Sequence, residues 1–254
     1  MQYSLNKPVN SKRVQARKRP YRAPSISLPL QPATAPSELD PALSAPPVTA
    51  PVGGARKRVF DVICASAILI GVTPLFLMLT IIIKLRGDGP VVFRHTRIGF
   101  DGRRFDCIKF RTMVVDAEQK LADHLAADPD AAEEWGRDQK LRSDPRVTRI
   151  GAVLRKTSLD ELPQLFNVLR GDMSLVGPRP VIEDELARYG AFRSAYLSAR
   201  PGMTGLWQVS GRNSTTYERR TELDATYVRD WRLRNDIAII MKTVPEVLMS
   251  SRAY

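Results

Sequence analysis

The chain has 254 residues, with 39 Lys and Arg against 27 Asp and Glu, for a formal net charge of +12. That length suits one moderate domain with accessories, and the excess of base favours an anionic partner: nucleic acid, an acidic membrane surface or a phosphorylated substrate. Cys64 and Cys107 make no spaced framework, His95 and His124 complete no zinc pattern, and neither a G-x-S-x-G elbow nor a Walker A loop is present, so any catalysis runs on carboxylates, lysine and arginine in a reducing compartment.

Residues 1–54 do not read as a fold. Proline recurs every few residues from Pro20 to Pro51 among Ala, Ser and Thr, a composition that buries too little apolar surface to offset the entropy of ordering it. The basic cluster from Lys12 to Arg22 has no apolar run directly after it, so it is not a signal peptide. A disordered basic tail is expected.

Val62 to Ile83 then runs 22 residues without a charge, long enough to cross a hydrocarbon core of about 30 Å. Its flanks argue against a simple crossing. Arg56, Lys57 and Arg58 lie on one side, and Lys84, Arg86, Arg94 and Arg97 on the other, whereas basic clusters belong on the cytoplasmic face. A helix over 55–86 that enters, bends at Thr73-Pro74 and returns satisfies both flanks. Pro74 lacks an N–H, and the Thr73 hydroxyl is placed to bond a freed carbonyl. A single spanning helix is the alternative.

The rest, 87–254, predicts a small globular domain. "GPVVFRHTRIGF" and "RRFDCIKFRTM" read as two strands joined around Asp101-Gly102. Lys109 and Arg111 alternate with Phe110, which puts both cations on one face. A helical stretch over 114–142 breaks near Asp128-Pro129. "RVTRIGAVLRK" places Val147, Ile150, Val153 and Leu154 on one helical face. Leu162, Leu165, Phe166 and Leu169 do the same, with Gly171 as the stop. Helices are expected over 181–198, 215–231 and 235–249. The last, with Trp231, Arg232, Arg234, Ile237, Ile239 and Ile240, suits either a lipid interface or an ordinary core face. The fold class is therefore α+β and mostly helical: a re-entrant membrane helix, a short β-hairpin, and interfacial amphipathic helices around a cytoplasmic catalytic domain.

The chemistry concentrates in "TSLDELPQLFNVLRGDMSLVGPRP", residues 157–180. Ser158 and Glu161 match a capping box, Asp160 is itself a candidate N-cap, and Pro163 suits a helix start. Capping leaves the surrounding cations unexplained. Arg155 and Lys156 precede the carboxylates; Arg170 and Arg179 follow, the last held in a stiff Gly-Pro-Arg-Pro turn. A fixed guanidinium suits a bidentate grip on phosphate. Adjacent carboxylates among arginines suit magnesium on a diphosphate, or a nucleophile for phosphorus. A solvated ion-pair network without chemistry is the competing interpretation.

"KRVFD" ahead of an apolar segment with an internal proline, then "KFRTM", "LRKTSLDELPQLFNVLRGDMSLVGPRP", "RPGMTGLWQVSGR" and "DWRLRNDIAIIMKT", together resemble the bacterial sugar transferases, the monotopic polyprenyl-phosphate phosphoglycosyl transferases. The likeness covers about residues 55–250 and is closest to the short, exopolysaccharide-initiating form. It implies a re-entrant helix, with Thr73-Pro74 where the family often has Ser-Pro. It also implies a Mg2+-dependent, two-step transfer of a hexose-1-phosphate from a UDP-sugar to undecaprenyl phosphate at the inner leaflet of the bacterial cytoplasmic membrane. Asp160 matches the family nucleophile and Glu161 its partner, both near the metal. Lys109, Arg111, Arg155 and Arg179 match positions lining the phosphate site. The resemblance leaves the sugar open, accommodates a homo-oligomer and calls for no nucleic acid. A basic nucleic-acid-binding protein accounts for the charge but not for the apolar segment, and a membrane-anchored scaffold leaves the phosphate motifs idle.

Overall fold

The structure, a computed structural model, describes residues 49–248 apart from 88, 139 and 212–214. The tail expected over 1–54 thus lies outside the described residues up to position 48. Among the described residues the architecture is α+β and mostly helical, as expected.

Helix α1 (Gly54–Leu85) is 32 residues long and apolar enough to cross a membrane by length and composition. It stays helical through Pro74. The Thr73 hydroxyl donates to the carbonyl of Leu69 at 2.7 Å, whereas the carbonyl that Pro74 leaves without its helical donor is that of Ile70. Thr73 therefore does not fill the vacancy expected of it. The helix grips the rest of the chain on both sides of Pro74. Before it, Arg58 donates to the carbonyls of Val168 and Leu169, and Asp61 accepts from the amide of Leu175 at 3.1 Å. After it, the Phe76 ring meets Phe110 and Phe166, and Leu79 and Ile83 pack with Phe110 and Leu154. Between these contacts Ile70, Gly71, Thr73 and Pro74 are exposed.

Strands β1 (Val92–Ile98) and β2 (Arg104–Phe110) form an antiparallel hairpin with Val92 opposite Phe110 and Ile98 opposite Arg104. The turn between them takes Asp101 and Gly102 into positive φ, 56° and 74°, which their short side chains tolerate. Helices α2 (Ala117–Ala127) and α3 (Pro129–Asp138) are separated at Asp128, whose carboxylate accepts from the amides of Asp130 and Ala131 and so opens α3. Helix α4 (Arg149–Lys156) is capped by Thr148, whose hydroxyl accepts from the amide of Gly151. Leu154 points inward, but Val153, expected on the same face, is exposed.

Helix α5 (Gln164–Arg170) ends at Gly171 in the left-handed region. Strand β3 (Ser174–Val176) then pairs in parallel with β4 (Gly202–Thr204). The single helix expected over 181–198 is instead two short ones, α6 (Glu183–Ala187) and α7 (Arg193–Leu197), parted where Gly190 takes φ 50°. Helices α8 (Tyr217–Arg229) and α9 (Leu233–Leu248) complete the described chain. Trp231 turns inward to bond Asp236, and Ile239 is buried. Of the two readings left open for this helix, the core face holds for Trp231 and Ile239, while Ile237 is exposed in an apolar stripe with Met241 and Val244.

The largest apolar core joins Ala65 of α1 to Leu165, Val168, Met173, Val176, Tyr227 and Ile239. Its Leu, Ile, Val and Met side chains contribute about 1.5–3 kcal/mol each on full burial, and α1 enters this core through Ala65, so it is part of the fold.

Candidate active site

A turn, and not a helix cap, sets the two carboxylates. After α4, Ser158 adopts φ 56° and ψ 16°, and a single 3-10 turn follows over Leu159–Glu161. It closes through Glu161 N–H to the Ser158 carbonyl and Leu162 N–H to that of Leu159. Helix α5 begins only at Gln164, and no side-chain cap bond forms at Ser158 or Pro163. The expected capping box and the Asp160 N-cap are thus both absent. Reversal at Ser158 aims the carboxylates at strand β2, where a lysine satisfies them instead.

That lysine is held in register by Asn167. Fully buried on α5, its Oδ1 accepts from the amide of Ile108 at 3.1 Å, and its Nδ2 donates to the carbonyl of Asp106 at 2.8 Å. This clamp fixes β2 beside the turn, one residue from Lys109. Lys109 Nζ then lies 2.6 Å from Glu161 Oε1 and 3.8 Å from Asp160 Oδ2. Burial pulls the Lys109 ammonium down, but Glu161 and Asp160 outweigh it and hold the group above its ordinary range. Asp160 is 9% exposed. Burial raises its pKa to about 6, against the downward pull of Lys109 and with a further upward push from Glu161.

The other cations arrive from separate elements. Arg155 Nε donates to Thr112 Oγ1 at 2.9 Å, just past β2. α4 comes this close because residue 151 is glycine: a Cβ there would overlap the Thr112 carbonyl. Arg179 follows a backbone crossing that only glycine permits, since a Cβ on Gly202 would overlap the Gly177 nitrogen and one on Gly177 the Arg200 carbonyl. This gives "LVGPRP" and "RPGMTG" a shared physical reason. The Arg179 guanidinium lies 5.9 Å from the Trp207 ring, and Arg220 lies 4.9 Å from the same ring. Burial, with the neighbouring Arg220 charge, holds Arg179 below its ordinary pKa.

Lys109, Arg111, Arg155, Asp160, Glu161 and Arg179 line one open cleft of about 920 Å3. All six residues expected at a phosphate site therefore meet. Arg111 lies against the chain just past α1: its Nη2 donates to the Gly87 carbonyl at 3.2 Å. Thr73 and Pro74 lie outside the cleft. Thr112, Asn167 and Ser158 escaped sequence reasoning as positioning residues, although all three lie inside the quoted motifs; Trp207 and Arg220 escaped it as neighbours of Arg179.

The donor set bears on Mg2+. Among the described residues no group of three or more His, Cys, Asp or Glu side chains gathers for a metal. Asp160 and Glu161 supply two adjacent carboxylates. Two carboxylates, with phosphate oxygens and water completing six ligands, is the usual Mg2+ pattern at nucleotide sites, so the residues fit a magnesium ion held jointly with a diphosphate.

Comparison with known proteins places the chain in a family. The family model described as bacterial sugar transferase matches residues 52–250. The exopolysaccharide production protein ExoY of Rhizobium meliloti (strain 1021) is 50% identical over 204 residues, covering 80% of this chain and 90% of that protein. The undecaprenyl-phosphate galactose phosphotransferase of Salmonella typhimurium is 53% identical over 198 residues, 78% of this chain but 41% of that longer protein. The UDP-glucose:undecaprenyl-phosphate glucose-1-phosphate transferase of Caulobacter vibrioides is 43% identical over 208 residues, covering 78% and 72%. With almost the whole described chain matched and its carboxylates and cations gathered in one cleft, the chain belongs to the bacterial sugar transferase family.

Proposed function

We propose that the protein transfers a hexose-1-phosphate from a UDP-hexose to undecaprenyl phosphate through a phosphosugar carried on Asp160, starting exopolysaccharide or related glycan synthesis. The carrying observation is the convergence of Asp160 and Glu161 with Lys109, Arg155 and Arg179 on one cleft. Relatives named for undecaprenyl-phosphate transfer of galactose or glucose-1-phosphate support both substrates.

In the first step an Asp160 carboxylate oxygen attacks the sugar-bearing phosphorus. The phosphorus–oxygen bond to UMP breaks and UMP leaves with the electron pair. In the second, a phosphate oxygen of the lipid attacks the same phosphorus, and the Asp160 carboxylate departs. The product is a lipid-diphosphate sugar, and the enzyme is restored. Lys109, Arg155 and Arg179 offset the charge on the phosphates, and Glu161 holds Lys109 against the nucleophile. Asp160 and Glu161 would hold Mg2+, which supplies charge stabilisation to the diphosphate and its leaving oxygen.

We place the site at the cytoplasmic face of the inner membrane, with α1 re-entering rather than crossing. Arg58 and Phe76, on opposite sides of Pro74, both contact α5, and Ile83 packs beside the same body. In a straight helix Arg58 and Ile83 stand roughly 37 Å apart at 1.5 Å per residue, more than a hydrocarbon core. A crossing helix has its ends on opposite sides and cannot dock both on one domain.

Purified enzyme incubated with UDP-glucose or UDP-galactose and undecaprenyl phosphate tests the reaction. UMP release and a new lipid-linked sugar are expected with Mg2+ and are lost in Asp160→Asn. UMP release that persists in that variant contradicts the assignment.

A further inference from the structure

His95 lines the cleft, yet neither step of the transfer calls on it. Both nucleophiles are already anionic, a carboxylate and then a phosphate, and UMP departs as a phosphate, so no proton passes through an imidazole. Its surroundings fix it instead as a neutral donor. Arg97 Nη2 lies 3.2 Å from His95 Nδ1. A guanidinium only donates, so Nδ1 accepts and the ring proton sits on Nε2. Arg97 is held in turn by Glu185, whose Oε2 accepts from Arg97 Nη1 at 3.4 Å. Partial burial, with the Arg97 and Lys109 charges and against that of Glu185, lowers the His95 pKa and keeps the ring uncharged at neutral pH.

The hairpin register says what this N–H meets. Phe93 and His95 alternate along β1 onto the face that Cys107 and Lys109 present from β2, and all four line the cleft. His95 stands opposite Cys107, which makes Lys109 its diagonal neighbour across the strands, about 7 Å away. Lys109 Nζ is 3.8 Å from Asp160. One such step from the nucleophile, a bound UDP-sugar offers its hexose, which a single oxygen joins to the attacked phosphorus. The uracil lies beyond a second phosphate and a ribose. Phe93 is 55% exposed, with its ring centroid 6.1 Å from that of His95, so an apolar wall stands beside the polar tip. A sugar ring, with C–H faces and hydroxyl edges, suits that pairing. Resting on the transfer reading above, we propose that His95 reads the hexose. Its Nε2–H donates to a sugar hydroxyl while Phe93 covers an apolar face of the ring, and Arg97 is the positioning residue that fixes the tautomer.

Full-length enzyme in detergent micelles with undecaprenyl phosphate is assayed for kcat/KM of UMP release. The substrates are UDP-glucose and UDP-galactose, which differ in the direction of one hydroxyl; inhibition by UDP, which has no sugar, is measured alongside. His95→Phe is expected to lower kcat/KM for the preferred hexose about three- to tenfold, the loss of one hydrogen bond, and to narrow the ratio between the two sugars. UDP inhibition is expected to stay within about twofold of wild type. His95→Gln, whose amide keeps an N–H, is expected to recover most of the ratio. Nitrogen NMR of histidine-labelled enzyme reads the role of Arg97. With His95 and His124 told apart by His124→Gln, His95 is expected as the Nε2–H tautomer in wild type and as a mixture in Arg97→Met. A sugar ratio unchanged in His95→Phe overturns the assignment. So does UDP inhibition that weakens in step with turnover, which moves the contact to the nucleotide, or an Nδ1–H tautomer in wild type. Wild-type enzyme that releases no UMP from either UDP-hexose overturns the transfer reading beneath it, a distinct result.

Discussion

Among the described residues two lysines, Lys57 and Lys109, each face a pair of carboxylates at nearly the same distances but in opposite surroundings. Lys57 Nζ lies 2.6 Å from Asp236 and 4.0 Å from Asp61; Lys109 Nζ lies 2.6 Å from Glu161 and 3.8 Å from Asp160. The first cluster is dry, with Lys57 and Asp236 side chains 6% and 0% exposed. Both Asp236 oxygens are taken, by Tyr227 on one side and by Lys57 and Trp231 on the other. That network ties α1 to α8 and α9. The second is wet, with Lys109 and Glu161 side chains 36% and 37% exposed on an open cleft. Ion-pair geometry alone does not distinguish a brace from a reactive site. Solvent access does.

The largest expected effect lies on the open cluster. Asp160→Asn should reduce turnover by at least about a thousandfold, as loss of a nucleophile does, while the melting temperature holds or rises. The sign follows from the carboxyl itself. Its pKa is about 6 in the fold against 3.8 unfolded. Protonation therefore stabilises the fold below pH 3.8, and that stabilisation is lost as pH rises through about 6. At pH 7 the native Asp160 is ionised in a buried place, and an amide relieves it. Activity assays with thermal melts check both halves.

The closed cluster should answer in the opposite way. Asp236→Ala leaves Lys57 charged and buried without its near partner and is expected to destabilise by about 3–5 kcal/mol. Denaturant unfolding in micelles reads this, and any activity loss should follow the folded fraction. Lys109→Met sharpens the contrast further. Lys109 lowers the Asp160 pKa, so its removal should move the acid limb of the UMP burst to higher pH, away from about 6, along with a fall in rate. A pH profile of the burst is the measurement.

Smaller effects belong to the frame around the cleft. Asn167→Ala strips the Ile108 amide and the Asp106 carbonyl of their partner and should destabilise by about 1–3 kcal/mol, with β2 exchanging its amide hydrogens faster. Ser158 at φ 56° predicts the mildest pair: Ser158→Gly within about 1 kcal/mol of wild type, and Ser158→Val less stable by about 1–2 kcal/mol, because only the first accepts that backbone readily.

What was legible in the sequence follows from range. The carboxylates and cations stood in short contiguous motifs, so their identity was readable, as were the Asp101-Gly102 turn, the Asp128-Pro129 break and the Gly171 stop, each decided within a few residues. The Ser158 reversal was not, because the local pattern of Ser158, Glu161 and Pro163 spells a helix cap. Lys109, brought in from β2 by Asn167, draws the carboxylates elsewhere. Long-range packing likewise decided α9: its periodicity marked an apolar face without saying that Asp236 would turn Trp231 inward. Gly177 and Gly202 were visible as residues, but only their backbone crossing explains them.

Transfer through Asp160 is tested most directly by mass spectrometry of the enzyme after mixing with UDP-sugar, without acceptor. A mass gain of one hexose phosphate, mapped to the peptide carrying Asp160 and discharged by undecaprenyl phosphate, is the expected result. A mass unchanged while UMP is released, or an adduct on any other residue, contradicts it.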